Sequence, residues 1–183
     1  CEGKAPFDTL PGSYEENNQV EELVVTMKDH NYNLTLELHY FVFLNQDVIT
    51  RSAKFINTSN ELVLLDRLMS AQLDFDMIDM ELTTFHGAWA REMQRHDISV
   101  NACKIVNESY CGCSSNRSNP FIMFSKKGTT EDHGDCYGMN LIYSGNHYEA
   151  VEVSAYRQTR VVTGINPRSF QFRIAPGESF EAP

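Results

Sequence analysis

The sequence lacks any long apolar run and any excess of positive charge. No stretch approaches the roughly 20 apolar residues of a membrane-spanning helix, and the first twenty residues show no basic segment followed by an apolar one. The 183 residues carry 15 Lys and Arg against 25 Asp and Glu, a formal net charge of −10. Because phosphate backbones are bound mainly through Lys and Arg, we expect neither a membrane nor a nucleic acid as a partner.

Cysteine is too sparse for a disulfide framework or a regular zinc site. The odd number of five leaves one thiol unpaired in any disulfide scheme; the residues are Cys1, Cys103, Cys111, Cys113 and Cys136. Structural zinc sites usually contain two paired ligand clusters, whereas Cys111-Gly-Cys113 is a single pair with one intervening residue. We therefore predict reduced thiols, no bound metal and a cytoplasmic location.

Motifs of familiar catalytic and cofactor sites are missing as well. The chain contains no glycine-rich phosphate loop, no dinucleotide fingerprint and no Gly-x-Ser-x-Gly nucleophile elbow. Residues 131–135 (Glu-Asp-His-Gly-Asp) crowd four titratable groups together, but such a turn is typical of a solvated loop. Asp74, Asp76 and Asp79 do not follow the spacing of a calcium-binding loop. We predict no cofactor and no catalytic residue within these 183 residues.

What the sequence does contain is a series of short β-type segments separated by turns. From position 34 to 41, three leucines and a tyrosine alternate with Thr, Glu, His and Phe, which gives one apolar and one mostly polar face with period two. Turn residues occupy 28–31, 45–47, 57–60 and 176–177. The predicted strands are Leu23–Met27, Leu34–Phe43, Val48–Ile56, Leu62–Leu73, Phe121–Phe124, Met139–Tyr143, Ala150–Ala155, Arg160–Thr163, Phe170–Ile174 and Ser179–Glu181.

Strands at about ten-residue spacing without helices predict an all-β fold of two packed antiparallel sheets. We place this single sandwich domain at residues 21–183 and expect residues 1–20, which show no periodicity, to form an extended lead-in. The start at Cys1 without an initiator methionine is expected of an excised or processed chain.

Five segments together carry a family resemblance, because each places Gly, Trp, His or Asn-Pro between strand-like runs. They are Thr84–Glu92 (TFHGAWARE), Ser114–Phe121 (SSNRSNPF), Thr130–Gly138 (TEDHGDCYG), Tyr143–Gly145 (YSG) and Thr159–Pro167 (TRVVTGINP). From about Leu10 to Pro183 the chain resembles the amino-terminal domain of family 36 glycoside hydrolases, the bacterial α-galactosidases of the melibiase and raffinose type. The resemblance implies a large two-sheet antiparallel β-sandwich (a galactose-mutarotase-like supersandwich), truncated if strands precede Cys1.

The resemblance also implies a function that the full-length enzyme performs. In the family, the catalytic aspartates belong to a downstream (β/α)8 barrel, which is absent from these 183 residues. The resemblance implies retaining hydrolysis of terminal α-galactosides such as melibiose and raffinose, with this domain packing on the barrel and supporting oligomer assembly. The implied partners are the enzyme's own barrel, further copies in a homo-oligomer and the α-galactoside.

Three residues are candidates for an interface or a substrate-proximal position: Trp89, Arg91 and Asn119. In tetrameric bacterial members of the family, the amino-terminal domain of one subunit approaches the active site of another. Trp89 would offer a flat face to a sugar ring if it were exposed. Because large aromatic residues are mostly buried, however, we predict that Trp89 anchors the two sheets and that Arg91 pairs with a carboxylate.

The sequence is also compatible with two alternative functions. A free-standing carbohydrate-binding β-sandwich would expose Trp89 or tyrosines on one face and bind a galactoside without a catalytic domain. A small independent hydrolase would need two functional carboxyls, and the sequence offers none in a recognisable setting.

Overall fold

A computed structural model describes residues 20–101 and 103–183, and it confirms the all-β prediction. The expected lead-in at 1–20 lies almost entirely outside these residues. The described strands, in chain order, are β1 Val20–Asp29, β2 Leu34–Phe43, β3 Val48–Asn57, β4 Val63–Leu65, β5 Met69–Phe75, β6 Met80–Ala88, β7 Arg91–Val100, β8 Lys104–Glu108, β9 Phe121–Lys126, β10 Cys136–Asn140, β11 His147–Val153, β12 Thr159–Ile165, β13 Phe172–Ile174 and β14 Ser179–Ala182. Among the residues described, no helix is long and apolar enough to cross a membrane.

The chain divides into two compact units. The first contains the described residues up to Ser70 together with Ser169–Pro183, and the second is Ala71–Arg168. In the first unit a four-stranded antiparallel sheet has the order β1-β2-β3-β14, and β4 pairs with β13 in a small ladder. The turn predicted at 28–31 is observed at 30–33 and the one predicted at 45–47 is observed at 44–47, one before and one after β2; Asn33 and Asp47 in these turns adopt φ angles of 53° and 51°.

The alternation in β2 is real, but the more polar face is the more buried one. Phe41 and Phe43 cluster with Val20 in a small core, and Thr35 on the same face is also buried. The leucine face remains partly exposed in this unit. Period two therefore identified the strand, whereas hydrophobicity alone did not identify its buried side.

Asn57 is a fully buried polar centre of the first unit. Its Nδ2 donates to the carbonyl oxygens of Glu61 at 2.8 Å and Ile174 at 2.9 Å, and its Oδ1 accepts hydrogen bonds from the backbone and side chain of Ser59. One side chain thus joins the end of β3, the turn that follows it and the end of β13.

The second unit is a sandwich of two antiparallel sheets with the orders β10-β9-β6-β7 and β5-β12-β11-β8. A close-packed core contains apolar side chains from both sheets: Met80, Leu82, Val100, Ile122, Phe124, Val151 and Val161. Phe75 packs against the ring of Phe124, with the ring centroids 5.2 Å apart. These side chains alternate along their strands, as expected for two sheets that share one core.

Three details of the predicted strand pattern are wrong. The segment Leu62–Leu73 is two strands, β4 and β5, because the chain leaves the extended ladder at 66–68. Of Met139–Tyr143, only the first two residues belong to β10: the amide of Leu141 still donates to the carbonyl oxygen of Pro120 at 3.0 Å, but Pro120 has no N–H to donate in return. Strands β6, β7 and β8 were not predicted.

Candidate functional site

The β6–β7 hairpin carries the most exposed aromatic side chain of its unit at its tip. The strands pair antiparallel from Met80 opposite Val100 to Ala88 opposite Arg91, which leaves a two-residue turn of Trp89 and Ala90. Trp89 is 90% exposed. The prediction that Trp89 is a buried anchor is therefore wrong, because the side chain lies at the end of a hairpin, beyond the layer that contains the core.

Arg91 is also exposed, and within the described residues it forms no ion pair, so the predicted carboxylate partner is not observed. The acidic neighbour Glu92 instead stabilises the turn, since its Oε1 accepts a hydrogen bond from the amide of Ala90 at 2.8 Å. Ala90 has a φ of 60°, a conformation that residues with a Cβ seldom adopt. The tip therefore presents a defined conformation, with Trp89 and Arg91 facing solvent.

A neighbouring loop fastens the hairpin close to this tip. The backbone amide and the Nδ2 of Asn119 both donate to the carbonyl oxygen of Phe85 at 3.1 Å, and the same Nδ2 lies 3.4 Å from Sδ of Met93. Both strands of the hairpin are thus held by one side chain. The structure brings the three candidate residues into one region, but it gives Asn119 a supporting contact rather than a free surface.

His86 provides a second attachment of the same loop. Its Nδ1 lies 3.0 Å from the carbonyl oxygen of Arg117, and its Nε2 lies 2.7 Å from Oγ1 of Thr84. Because a carbonyl oxygen can only accept, Nδ1 must carry a proton, and Nε2 of the neutral ring then accepts from the hydroxyl. The loop itself is shaped by Ser115, whose carbonyl oxygen accepts from the amide of Ser118 at 3.1 Å.

Behind this loop lies a buried polar cluster that the sequence reasoning missed. Asn107 on β8 is opposite Glu149 on β11, and its Nδ2 donates to Oε2 of Glu149 and to the carbonyl oxygen of Asn119, both at 2.7 Å. Burial raises the pKa of Glu149 to about 8, and the hydrogen bond from Asn107 opposes that shift in part. Burial also lowers the pKa of His147 to about 4, against a smaller opposite effect of Glu108.

The sequence held a signal for this cluster. With period two along β11, Glu149 and His147 share the face of the core residue Val151, so a charged residue type occupies an inward position. Glu149 is 1% exposed, and no second carboxyl is hydrogen-bonded to it within the described residues. The cluster is thus a structural network and not a pair of carboxyls.

The cysteines lie on the surface. Cys103, Cys111, Cys113 and Cys136 are free and exposed, while Cys1 is outside the described residues. The hydroxyl of Ser109, 3.4 Å from Sγ of Cys111, is the largest influence that lowers the pKa of this thiol. No group of three or more His, Cys, Asp or Glu side chains that could hold a metal is found at 20–101 and 103–183.

The acidic segments also serve local structure. Residues 131–135 are exposed, and the turn is closed by the amide of Thr130, which donates to the carbonyl oxygen of His133 at 2.9 Å. Asp74 accepts two hydrogen bonds from Arg160, at 2.6 and 2.9 Å, and these bonds lower its pKa. Asp76 accepts from Gln158 at 2.8 Å. Each of these aspartates has a protein partner on β12 or beside it.

A separate cleft of 320 Å³ lies in the first unit, at the end of the β2–β3 hairpin. It is lined by apolar side chains and one carboxylate: Val42, Phe43, Leu44, Asp47, Val48 and Ile49. None of the three candidate site residues lines this cleft, and Asp47 is the one polar side chain in its lining.

The fold is that of an antiparallel β-sandwich domain, and comparison with known proteins gives its family. The family model described as "Glycosyl hydrolase family 36 N-terminal domain" matches residues 1–175. The chain therefore belongs to the glycosyl hydrolase family 36 N-terminal domain family, as the sequence resemblance indicated.

Similar curated proteins are larger α-galactosidases. The chain is 36% identical to α-galactosidase AgaA of Geobacillus stearothermophilus over 184 residues, covering 99% of this chain and 25% of the relative. It is 35% identical to α-galactosidase Mel36A of Lactobacillus acidophilus, covering all of this chain and 25% of that protein. The chain thus spans about a quarter of the length of these relatives.

Solved structures agree with the sequence comparison. The crystal structure of the α-galactosidase from Lactobacillus brevis superposes with a TM-score of 0.95 at 38% identity, covering 99% of this chain and 24% of that one. AgaA superposes with a TM-score of 0.96 at 36% identity, covering all of this chain and 26% of AgaA. Variants of AgaA have been crystallised in complex with stachyose and with raffinose.

Proposed function

We propose that this chain is the non-catalytic amino-terminal domain of an α-galactosidase that hydrolyses terminal α-galactosides of the melibiose and raffinose class. The observation that carries the proposal is the match to α-galactosidases over almost the whole chain, at 35–38% identity to the relatives described above. The complexes of AgaA variants with stachyose and raffinose support the substrate class.

The reaction belongs to the remainder of the enzyme. Retaining hydrolysis needs two carboxyls on either side of the glycosidic bond, one as nucleophile and one as acid and base. Among the described residues, Glu149 is the one fully buried carboxyl, and its polar partner is Asn107. We therefore assign both catalytic carboxyls to a downstream (β/α)8 barrel.

The domain's own role in this proposal is to pack against the barrel and to support oligomer assembly. The Trp89 side chain is exposed, and the hairpin that carries it is held by Asn119 and His86. This arrangement supports a contact role, because tryptophan is enriched at protein interfaces and also stacks on apolar ligand faces. The unpaired Arg91 beside it adds a cation that can bind carboxylates or hydroxyl oxygens. We place the contact with the barrel, a neighbouring subunit or the bound sugar at this tip.

A free-standing carbohydrate-binding module is the second candidate, because the same 90% exposure of Trp89 is what a sugar-binding surface requires. The two functions differ in what the chain does alone. A binding module holds a galactoside without further domains, whereas a packing domain does not.

The deciding experiment combines two measurements on two proteins. The full-length protein is assayed for hydrolysis of melibiose and raffinose, and the 183-residue chain is titrated with both sugars by calorimetry. We expect turnover by the full-length protein and neither heat nor turnover with the chain alone. Binding by the chain alone would support the carbohydrate-binding module, and turnover by the chain alone would contradict both candidates.

We also propose a cytoplasmic location. Four exposed, unpaired thiols support this location, because oxidising compartments favour disulfides. Cell fractionation with an antibody against the protein tests this, and recovery outside the cytoplasm would contradict it.

A further inference from the structure

Asn107 lies between the interior of the sandwich and the loop that fastens the Trp89 hairpin. It is 4% exposed, and both hydrogens of its amide are used, one by Glu149 and one by the carbonyl oxygen of Asn119. Its Oδ1 accepts a hydrogen bond from the hydroxyl of Ser118. One side chain on β8 therefore holds two consecutive residues of the loop.

The contacts continue from the loop to the hairpin. Nδ2 of Asn119 donates to the carbonyl oxygen of Phe85 on β6 and contacts Sδ of Met93 on β7. The carbonyl oxygen of Arg117 accepts a hydrogen bond from His86. Phe85 and Met93 lie four residues before and four residues after Trp89. A continuous series of hydrogen bonds thus connects Glu149 on β11 to both strands that carry the exposed tryptophan.

Glu149 and Asn119 together determine how the Asn107 amide is oriented. Nδ2 donates to Oε2 of Glu149 and to the carbonyl oxygen of Asn119, and a flipped amide would place its oxygen against that carbonyl oxygen, which can only accept. Glu149 belongs to the central part of its sheet, since β11 pairs with β12 on one side and β8 on the other. The acceptor is therefore fixed by the core, and the loop is positioned from it.

We propose that Asn107, oriented by Glu149, is a positioning residue that holds the loop at 117–119 and thereby sets the position of the Trp89 hairpin. Its effect on catalysis rests on the proposed contact role of the hairpin, whereas its effect on the hairpin itself does not.

Hydrogen–deuterium exchange of the full-length protein, read on peptides that cover residues 86–93, tests the positioning directly. Asn107→Ala removes all three contacts, and the near-isosteric Asn107→Asp removes both donors. We expect exchange at the hairpin tip to become at least about tenfold faster in both variants, the order of effect that loss of one hydrogen bond produces. Glu149→Gln keeps an acceptor for Asn107 and should leave the exchange rate as in the unsubstituted protein.

Asn166 provides a matched control in the same unit. It is 3% exposed, and its Nδ2 contacts Oε2 of Glu108 and the carbonyl oxygens of Ser109 and His147, none of which belongs to the loop or hairpin. Asn166→Ala should lower the stability of the domain, but hydrogen–deuterium exchange at residues 86–93 should not become faster. Equal acceleration in the Asn166 and Asn107 variants, or none in the Asn107 variants, would overturn the proposal.

Kinetics separate this inference from the proposed function. If the hairpin contacts the sugar, Asn107→Ala should raise KM for raffinose several-fold and leave kcat within about twofold. Faster exchange with an unchanged KM would support positioning and contradict a sugar contact of Trp89. If Asn107→Ala does not fold, Ser118→Ala removes one contact of the same series, and unchanged exchange at 86–93 in that variant would count against the proposal.

Discussion

Gly87 passes so close to Arg91 across the hairpin that no side chain fits between them. A Cβ at position 87 would lie 2.5 Å from the carbonyl oxygen of Arg91 and 2.8 Å from Cα of Glu92. Both obstructing atoms are backbone atoms, and the pairing register shifts at this point between His86 and Ala88. The irregularity that shapes the tip of the hairpin thus depends on glycine for space.

Gly87→Ala should therefore distort the hairpin and lower the free energy of unfolding by about 1–3 kcal/mol, the usual cost of inserting atoms into a packed site. The measurement is urea-induced unfolding of the 183-residue chain. Gly138→Ala on β10 is the control, because a Cβ there meets only the ring of Phe121 at 3.4 Å. If the two variants are equally stable, the close approach in the hairpin does not constrain the chain.

Trp89→Ala should leave the stability of the domain within about 0.5 kcal/mol, because the side chain is exposed and contributes little to the core. In the full-length protein we expect KM for raffinose to rise roughly tenfold, which corresponds to about 1.4 kcal/mol of lost binding. Trp89→Phe should retain part of the affinity, since a flat apolar face remains.

Tyr156 is the matched control for this substitution. It is 88% exposed and lies in the turn between β11 and β12 of the same unit, so it resembles Trp89 in exposure but not in position. Tyr156→Ala should change neither stability nor KM. A large loss of stability in Trp89→Ala would instead restore the buried-anchor interpretation that the structure contradicts.

The sequence predicted best where local pattern and turn chemistry agreed. The bounds of β2 at Leu34–Phe43 were predicted correctly, because residues 34–41 alternate and Asn and Asp residues mark both ends of the strand. Strand β7 of the hairpin was missed for the opposite reason: it is almost fully exposed and rich in Arg, Gln, His and Asp, so no periodic burial signal exists. Its strand structure comes from pairing with β6, a tertiary contact that local pattern does not report.

The candidate site was predictable in part. The segment that contains Trp89 and Arg91 was identified from its unusual composition, but the exposure of Trp89 was not, because burial statistics for tryptophan describe an average and not a hairpin tip. Asn107 and Glu149 are 42 residues apart in the chain. Their contact depends on the β8–β11 register, which the sequence alone does not specify.

Asn57→Ala should be among the most destabilising single substitutions in the first unit. It removes hydrogen bonds to the buried carbonyl oxygen of Ile174 and to the carbonyl oxygen of Glu61, and two from Ser59, and an unsatisfied buried group costs about 1–3 kcal/mol. We expect the free energy of unfolding to fall by about 3 kcal/mol in urea. The exposed Asn60→Ala in the adjacent turn should change it by less than about 0.5 kcal/mol. Similar free energies of unfolding for the two variants would show that the hydrogen bonds of Asn57 contribute little to the stability of the first unit.

Burial of His147 should make the domain less stable in acid. The folded chain keeps the ring neutral down to its pKa of about 4, whereas the unfolded chain binds a proton below about 6.5. The stability contributed by the neutral ring is therefore lost as the pH falls from 6.5 to 4. His147→Leu should remove this contribution, so that between pH 4.5 and 6.5 the urea midpoint falls with rising pH through Glu149 alone, and an unchanged plot would contradict the prediction.

Glu149 should have the opposite pH dependence over a higher range. Its pKa is raised from 4.5 in the unfolded chain to about 8 in the folded chain, so the folded chain holds the proton that the unfolded chain releases. The stability contributed by Glu149 is fully present below pH 4.5 and is lost as the pH rises to 8, by at most about 1.4 kcal/mol per pH unit. Between pH 4.5 and 6.5 the slope from His147 opposes it, so the two effects partly cancel in the unsubstituted chain.

Between pH 6.5 and 8 the protonation of Glu149, but not that of His147, differs between the folded and the unfolded chain. In that window Glu149→Gln should flatten the fall of the urea midpoint, and an unchanged slope would show that Glu149 is already ionised in the folded chain.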